Sequence, residues 1–366
     1  MNFYYVTLEC LKKSPGVKKK ILGQMKAFES YGFNVSLIAT EHDGVLSRVF
    51  EMFKLLRANN SSVYYFRGFG FLFALFKSKL RALKKNGNLL VLELPSPVAT
   101  LKEEFIKDKD NIITRKIKWF LFIKSFPSVF KYFDLVVEFA SEEPKYVQGF
   151  EDKFVHISNG VDVEGIKLKS KNESCGINLI SVANVSNWHG FDRIIRGLYE
   201  YYNHGQLVQE VFYHCVGEGS DLENLKTLVR ELSLEKYVIF HGTKTGEDLD
   251  KVFDECDIAF GSLGFHRIGL NGGSPLKASE YCARGIPFVI AYEDWDFPET
   301  FPFVYRISKD DTPVDISQVI KWYENLIKEH PNYSIEMRRY AEENLSWQAK
   351  LRPVLERIAK MICSSN

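Results

Sequence analysis

The chain has 366 residues, 45% hydrophobic and 26% charged, with a net charge of +1. That balance suits two globular domains and excludes a low-complexity or fibrous chain. No run reaches the roughly 18–20 apolar residues of a transmembrane helix. The N-terminus shows neither a charged leader nor a small-residue cleavage site, so a cytoplasmic location is expected. Six cysteines, at 10, 175, 215, 256, 282 and 363, form no CxxC or CxxH pair. This argues against zinc and disulfide frameworks and fits a reducing compartment. Residues 1–150 hold 24 of the 48 basic and 14 of the 47 acidic residues, so that stretch carries +10 and the rest −9. A basic half calls for an anionic partner.

Both halves alternate apolar strand-like runs with helical periodicity, which predicts parallel sheets wound on both faces. In the first half, residues 3–8 read as a strand. A loop with Ser14, Pro15 and Gly16 follows, then a helix over 17–30. Further strands are expected at 35–39, 63–66, 89–92 and 135–137. In the second half the strands fall at 177–182, 211–215, 238–240, 258–260 and 288–290, with helices over 192–202 and 222–232. Periodicity breaks around 150–172. The expected domains are 1–155 and 156–347, with a last helix over 348–366 packing back on the first.

Chemistry concentrates where strands end in glycine-bearing loops. Asn271-Gly272-Gly273-Ser274-Pro275 precedes a helix that ends at Arg284-Gly285. Glycines allow close backbone approach, Ser274 is expected to cap the helix, and Pro275 suits its first position. Free N–H groups and the helix dipole there favour an anion, and the Lys277 charge adds to them. Glu280 shares a face with Lys277 and is placed for sugar hydroxyls rather than phosphate. Phosphate plus hydroxyls indicates a nucleotide or a nucleotide sugar. Asn184 to Arg193, with His189 and Gly190, forms a second such loop. Gly217-Glu218-Gly219 and His241-Gly242-Thr243 are a third and fourth. In series they read as the rim of one cleft at the carboxyl ends of a sheet.

The order of these features resembles GT-B glycosyltransferases of the large retaining family 4. It runs through the Asn159-Gly160-Val161-Asp162 turn, Trp188-His189-Gly190-Phe191-Asp192-Arg193, Gly217-Glu218-Gly219 and Phe240-His241-Gly242. It closes with Ser274-Pro275-Leu276-Lys277-Ala278-Ser279-Glu280 and the tail from Met337 to Trp347. The resemblance is specific over about 157–291 and looser in the first half. It implies two Rossmann-like domains facing across a cleft, and transfer of a sugar from a UDP- or GDP-linked donor. The donor contacts it implies are His189, Gly190, Gly217, Glu218, Thr243, Gly272, Gly273, Ser274, Leu276 and Glu280. The acceptor it implies is a glycan, free or carried on a polyprenyl diphosphate, in cell-surface polysaccharide assembly.

Two departures stand out. Where the family commonly has a first glutamate, eight positions before Glu280, this chain has Gly272. Where it commonly has an Arg and a Lys for the diphosphate, this chain has Asn184 and His189. Arg267 and Lys277, the basic residues nearest the loop, are expected to take over that neutralisation. The chemistry is then electrostatic stabilisation of the departing diphosphate. Glu93, beside Pro95 at a strand end, is the candidate for contacting the acceptor or accepting its proton, with Glu103 and Glu104 as alternatives. No cofactor or metal is expected. Asp108-Lys109-Asp110 and Asp294-Trp295-Asp296 have DxD spacing but read as solvated loops.

The basic half carries two aromatic stretches flanked by lysines, 66–85 and 115–132. They suit a helix lying on an anionic membrane better than nucleic acid. Two other readings remain open. One is a degenerate GT-B protein that binds a nucleotide sugar or a partner enzyme without activity of its own. The other is a nucleotide-sugar 2-epimerase.

Overall fold

The computed structural model describes residues 1–42, 44–57, 61–67, 72–96, 112–139, 144–170, 176–204 and 209–364. Glu103, Glu104, Asp108-Lys109-Asp110, Cys175 and residues 68–71 lie outside the described residues, as do the side chains of Lys118 and 121–125. The chain forms two compact units. One holds Met1–Gly160 and the chain from Trp347 onward, the other Val161–Ser346.

The first unit contains β1 (Asn2–Thr7), α1 (Pro15–Ser30), β2 (Asn34–Ala39), α2 (Val45–Leu55), β3 (Val63–Arg67), α3 (Phe73–Lys85) and β4 (Leu89–Leu94). It continues through α4 (Ile112–Val129), β5 (Leu135–Glu138), α5 (Pro144–Val147) and β6 (Phe154–His156). The six strands are parallel in the order β2-β1-β3-β4-β5-β6. The near-continuous apolar sequences of β1, β3, β4 and β5 follow from burial on both faces, while β2 and β6 lie at the edges and are more exposed. Successive residues point to opposite sides. Phe3, Tyr5, Val63, Tyr65, Val91 and Val137 pack against α1 and the last helix, α12 (Trp347–Ser364). Val6, Tyr64, Phe66, Leu90, Leu92 and Val136 face the α2, α3 and α4 side. Trp347 seats α12 against α1. A Cβ on Gly23 would lie 2.5 Å from its ring, and one on Gly160 would lie 2.7 Å from it. Glycine at both positions therefore makes room for the indole.

The second unit contains β7 (Ile177–Val182), α6 (Phe191–His204), β8 (Val211–Val216), α7 (Leu222–Glu231), β9 (Val238–Gly242), α8 (Gly246–Asp254) and β10 (Ile258–Phe260). It continues through β11 (Gly272–Gly273), α9 (Leu276–Arg284), β12 (Phe288–Ile290), β13 (Glu293–Asp294), β14 (Val304–Arg306), α10 (Ile316–Glu329) and α11 (Tyr333–Tyr340). The main sheet is parallel in the order β14-β12-β10-β7-β8-β9. The order reverses between β7 and β10, and ligands of open α/β sheets bind outside the carboxyl ends at such a switch point. The strands β11 and β13 form a separate two-stranded ribbon, where a plain loop was expected. No helix of the described residues is long and apolar enough to cross a membrane.

Candidate functional site

The carboxyl end of β10 leads through Gly261-Ser262-Leu263-Gly264 and a tight turn, Phe265–Ile268, into β11 and then α9. β11 is held by β13: Glu293 N donates to Asn271 O at 3.0 Å and Trp295 N to Gly273 O at 3.1 Å. A Cβ at Gly272 would lie 2.7 Å from Glu293 O, so only glycine allows this pairing. Ser274 does not cap the helix as expected. Pro275 occupies the N-cap position, and the Ser274 hydroxyl donates to Asp296 Oδ2. Asp296 N in turn donates to Asp294 Oδ1 at 3.0 Å, and the Tyr292 hydroxyl to Asp294 Oδ2 at 3.0 Å. Asp294 is therefore buried rather than solvated, and burial pushes its carboxyl up to about 7. The ribbon fixes the loop before any ligand arrives. Ala278 N donates to Pro275 O at 3.1 Å, and the Leu276 and Lys277 N–H groups at the start of α9 have no acceptor within the helix.

Lys277 lies in that first turn. Its Nζ is buried and has no hydrogen-bond partner among the described residues. The nearest rings are Trp188 and Phe191, with centroids 6.0 and 5.8 Å away. Burial alone lowers the ammonium to about 7, because an apolar surround disfavours the charged form. A buried, unpartnered cation is costly unless something neutralises it.

His189 sits beside this charge in the tight turn Asn187–His189. Its Nδ1 accepts from Ser186 N at 3.1 Å, closing a capping box and leaving Nε2–H as the ring's donor. Burial, helped by the neighbouring Lys277, lowers its pKa to about 3, so the ring is neutral. Gly190 is left-handed with φ 66°, and a Cβ there would meet the Leu263 backbone at 2.8 Å. The turns that follow β7, β8 and β9 are tied together. Val185 N donates to Glu218 O at 2.7 Å and Gly217 N to Gly242 O at 2.8 Å. Gly217 is obligatory, since its Cβ would overlap Ala183 O at 1.8 Å. Glu218 and Thr243 are exposed on this rim.

Glu280 lies on α9, and its Oε1 accepts from Arg284 Nε at 3.0 Å. Arg284 also holds Asp250 at 2.6 Å. Arg267, expected to neutralise phosphate, is already engaged. Its Nη1 and Nη2 clamp both Asp192 oxygens at 2.8 and 2.9 Å, and Nε donates to Asp311 at 2.7 Å. Nη1 also donates to Asn187 O at 2.8 Å. These carboxylates raise its pKa further. Sequence reasoning missed Asp192 and Asp311, which stand 75 and 44 positions from it.

In the first unit, Glu93 lies near the end of β4 with its carboxylate fully enclosed. The Tyr65 hydroxyl and Gln24 Nε2 donate to Oε2 at 2.7 and 3.0 Å, and the Tyr5 hydroxyl donates to Gln24 Oε1 at 2.6 Å. Arg67 forms an ion pair with Oε1, and Lys20 Nζ stands 3.8 Å from it. Lys20 also donates to Asn159 Oδ1 at 2.8 Å and sits 3.5 Å from the centre of the Phe139 ring. Burial, with Arg67 adding to it, holds the Lys20 ammonium well below its ordinary value. Burial also raises both tyrosine hydroxyls.

Among the described residues no three His, Cys, Asp or Glu side chains come together as a metal site. Residues 166–333 match the family model described as Glycosyl transferases group 1. No curated protein matches the chain. Among solved structures, HepE of Anabaena in complex with UDP is 15% identical, with a TM-score of 0.59 and all of both chains covered. A glycosyltransferase from Rickettsia africae is 14% identical, with a TM-score of 0.63, covering all of this chain and 99% of that one. A sucrose-phosphate synthase from Thermosynechococcus elongatus is 12% identical, with a TM-score of 0.60 and full coverage of both. The second unit thus carries the sequence signature of glycosyl transferases group 1, and the whole chain has the GT-B fold of these enzymes.

Proposed function

We propose that this protein is a glycosyltransferase that moves a hexosyl-type sugar from a UDP- or GDP-linked donor to a glycan or polyprenyl-diphosphate-linked acceptor. The observation that carries the reading is the buried Nζ of Lys277 at the start of α9, which has no hydrogen-bond partner among the described residues. A diphosphate on the loop supplies the negative charge this ammonium lacks. The HepE structure holds UDP on the same fold. In this reading His189 Nε2–H and the N–H groups of Ser274, Leu276 and Lys277 share the phosphate oxygens, and Glu280 accepts from a ribose hydroxyl. Charge that builds on the departing diphosphate meets donors already in place, which is where such a site gains its rate. We take the reaction to be retaining and independent of metal and cofactor. Arg267 then serves the site by holding Asp192 and Asp311, and Lys277 carries the neutralising role.

Cell-surface polysaccharide assembly on the inner face of the plasma membrane is the proposed setting. Of the two aromatic stretches expected to lie on the membrane, Phe66, Phe76, Phe126 and Phe130 are buried in the core; support comes from the exposed Ile117 and Phe120 beside Lys116 on α4, with Ile112 just before them and Leu46 and Phe50 beside Lys54 on α2. Apolar side chains interleaved with lysines suit an anionic bilayer surface.

A thermal-shift panel of UDP-, GDP-, ADP- and CMP-sugars tests the donor. One nucleotide class should raise the midpoint by mass action, and Glu280→Ala or Lys277→Ala should abolish the rise. No rise with any of them refutes donor binding.

A further inference from the structure

Among the described residues of the second unit, seven large apolar side chains are exposed, and four of them surround the anion loop. Ile268, Leu270, Leu276 and Trp295 are 51%, 47%, 53% and 61% exposed. Apolar groups gathered at one place on a surface mark a contact. Trp295 has the most constrained mount of the four. Its backbone N–H is bonded to Gly273 O at 3.1 Å. The residue before it, Asp294, is buried and anchored by Tyr292, and the one after it, Asp296, holds the Ser274 hydroxyl. The indole Nε1 lies 3.1 Å from where a Cβ on Gly272 would stand, so the ring extends over the glycine of the loop itself. A fixed backbone under an uncovered ring suits a stacking surface, because little freedom is lost when a ligand lands on it.

We propose that Trp295 is a specificity-determining residue that receives the apolar C–H face of the donor's sugar. The inference rests on the donor reading above. A phosphate on the Ser274, Leu276 and Lys277 N–H groups places its sugar next to the loop, and the backbone of Trp295 is bonded to that loop. Hexoses present one face of C–H groups, and aromatic faces attract such positive edges. No hydrogen bond is required, so the ring selects ring shape and the orientation of axial hydroxyls rather than the nucleotide.

The test compares UDP-glucose with UDP, and GDP-mannose with GDP, by titration calorimetry on wild type, Trp295→Ala and Trp295→Phe. Trp295→Ala should weaken the sugar nucleotide about fivefold to tenfold and leave the sugarless diphosphate unchanged. Trp295→Phe should retain most of the affinity. An equal loss for both ligands makes the ring a prop for the loop and overturns the proposal, as does no loss for either. A change confined to acceptor KM also overturns it, moving the ring to the acceptor. If wild type binds none of the four ligands, the donor reading fails first and this inference falls with it. The exposure of Trp295 makes the variants safe to fold, and their unchanged melting midpoints check that.

Discussion

Each unit buries charge at the carboxyl ends of its parallel strands, and the two do so in opposite ways. Around Glu93 the charges are paired: the Tyr65 hydroxyl and Gln24 reach one carboxylate oxygen, Arg67 and Lys20 face the other, and Arg67 Nε stands 3.4 Å from Glu9. Around Lys277 there are a buried ammonium, a neutral histidine and two aromatic rings but, among the described residues, no hydrogen-bonded anion. A satisfied buried network rigidifies and specifies a fold. An unsatisfied charge is retained against its own penalty and points to a ligand. Glu93, the candidate for acceptor chemistry, is enclosed in a paired network, and Lys277 is the group that the proposed donor would neutralise.

Breaking the paired network should have the largest effect. Glu93→Gln leaves Arg67 and Lys20 facing each other without their shared carboxylate. Uncoupling a buried pair in this way costs about 3–5 kcal/mol, visible as a lower midpoint in urea unfolding of the full chain. A stable Glu93→Gln protein that has lost turnover would instead return Glu93 to the acceptor.

Lys277→Met should do the reverse. Removing an unpaired buried charge raises the stability of the unliganded protein by about 1–3 kcal/mol. The same change weakens donor binding by about 1.5–3 kcal/mol, roughly 10- to 100-fold. A loss of both stability and binding would mean that Lys277 is structural after all. The pH dependence sharpens this. With the folded ammonium lowered to about 7, the unfolded chain binds more protons between pH 7 and the ordinary lysine value. The penalty is then complete below pH 7 and is relieved as pH rises through that window. A bound diphosphate favours the charged form. Donor binding above pH 7 should therefore take up a proton and weaken as pH rises, as calorimetry in buffers of different ionisation enthalpy can measure. His189, lowered to about 3, works in the acid range. Its unfolded form protonates first, so stability falls as pH drops from about 6.5.

Arg267→Ala should have the smallest effect. It removes the clamp on Asp192 and Asp311, for about 1–2 kcal/mol, and leaves donor affinity within about twofold. A tenfold loss of donor affinity in a protein of unchanged stability would reassign its charge to the phosphate.

The strands were legible because parallel strands buried on both faces must be apolar throughout, and 177–182, 258–260 and 288–290 begin and end where the runs do. That a glycine-bearing loop runs into a helix there was legible because Gly and Pro are local punctuation; that Gly272 must be glycine follows from Glu293 O, 2.7 Å from where its Cβ would stand. The ribbon β11–β13 was not. Two-residue strands leave no periodicity, and pairing Gly272 with Glu293 depends on a contact 21 positions away. Asp294 and Asp296 therefore read as solvent-facing acids.

By itself the sequence determined the alternating α/β pattern, the place of the glycine loops and the residues able to line them, because propensity, burial pattern and turn chemistry are local. Tertiary structure decided which charges are neutralised. Arg267 lies ten positions before Lys277, yet one is clamped by two carboxylates and the other has no hydrogen-bond partner among the described residues. Electrostatic role is set by the groups within a few ångströms and by the water they exclude, and chain order does not encode those neighbours.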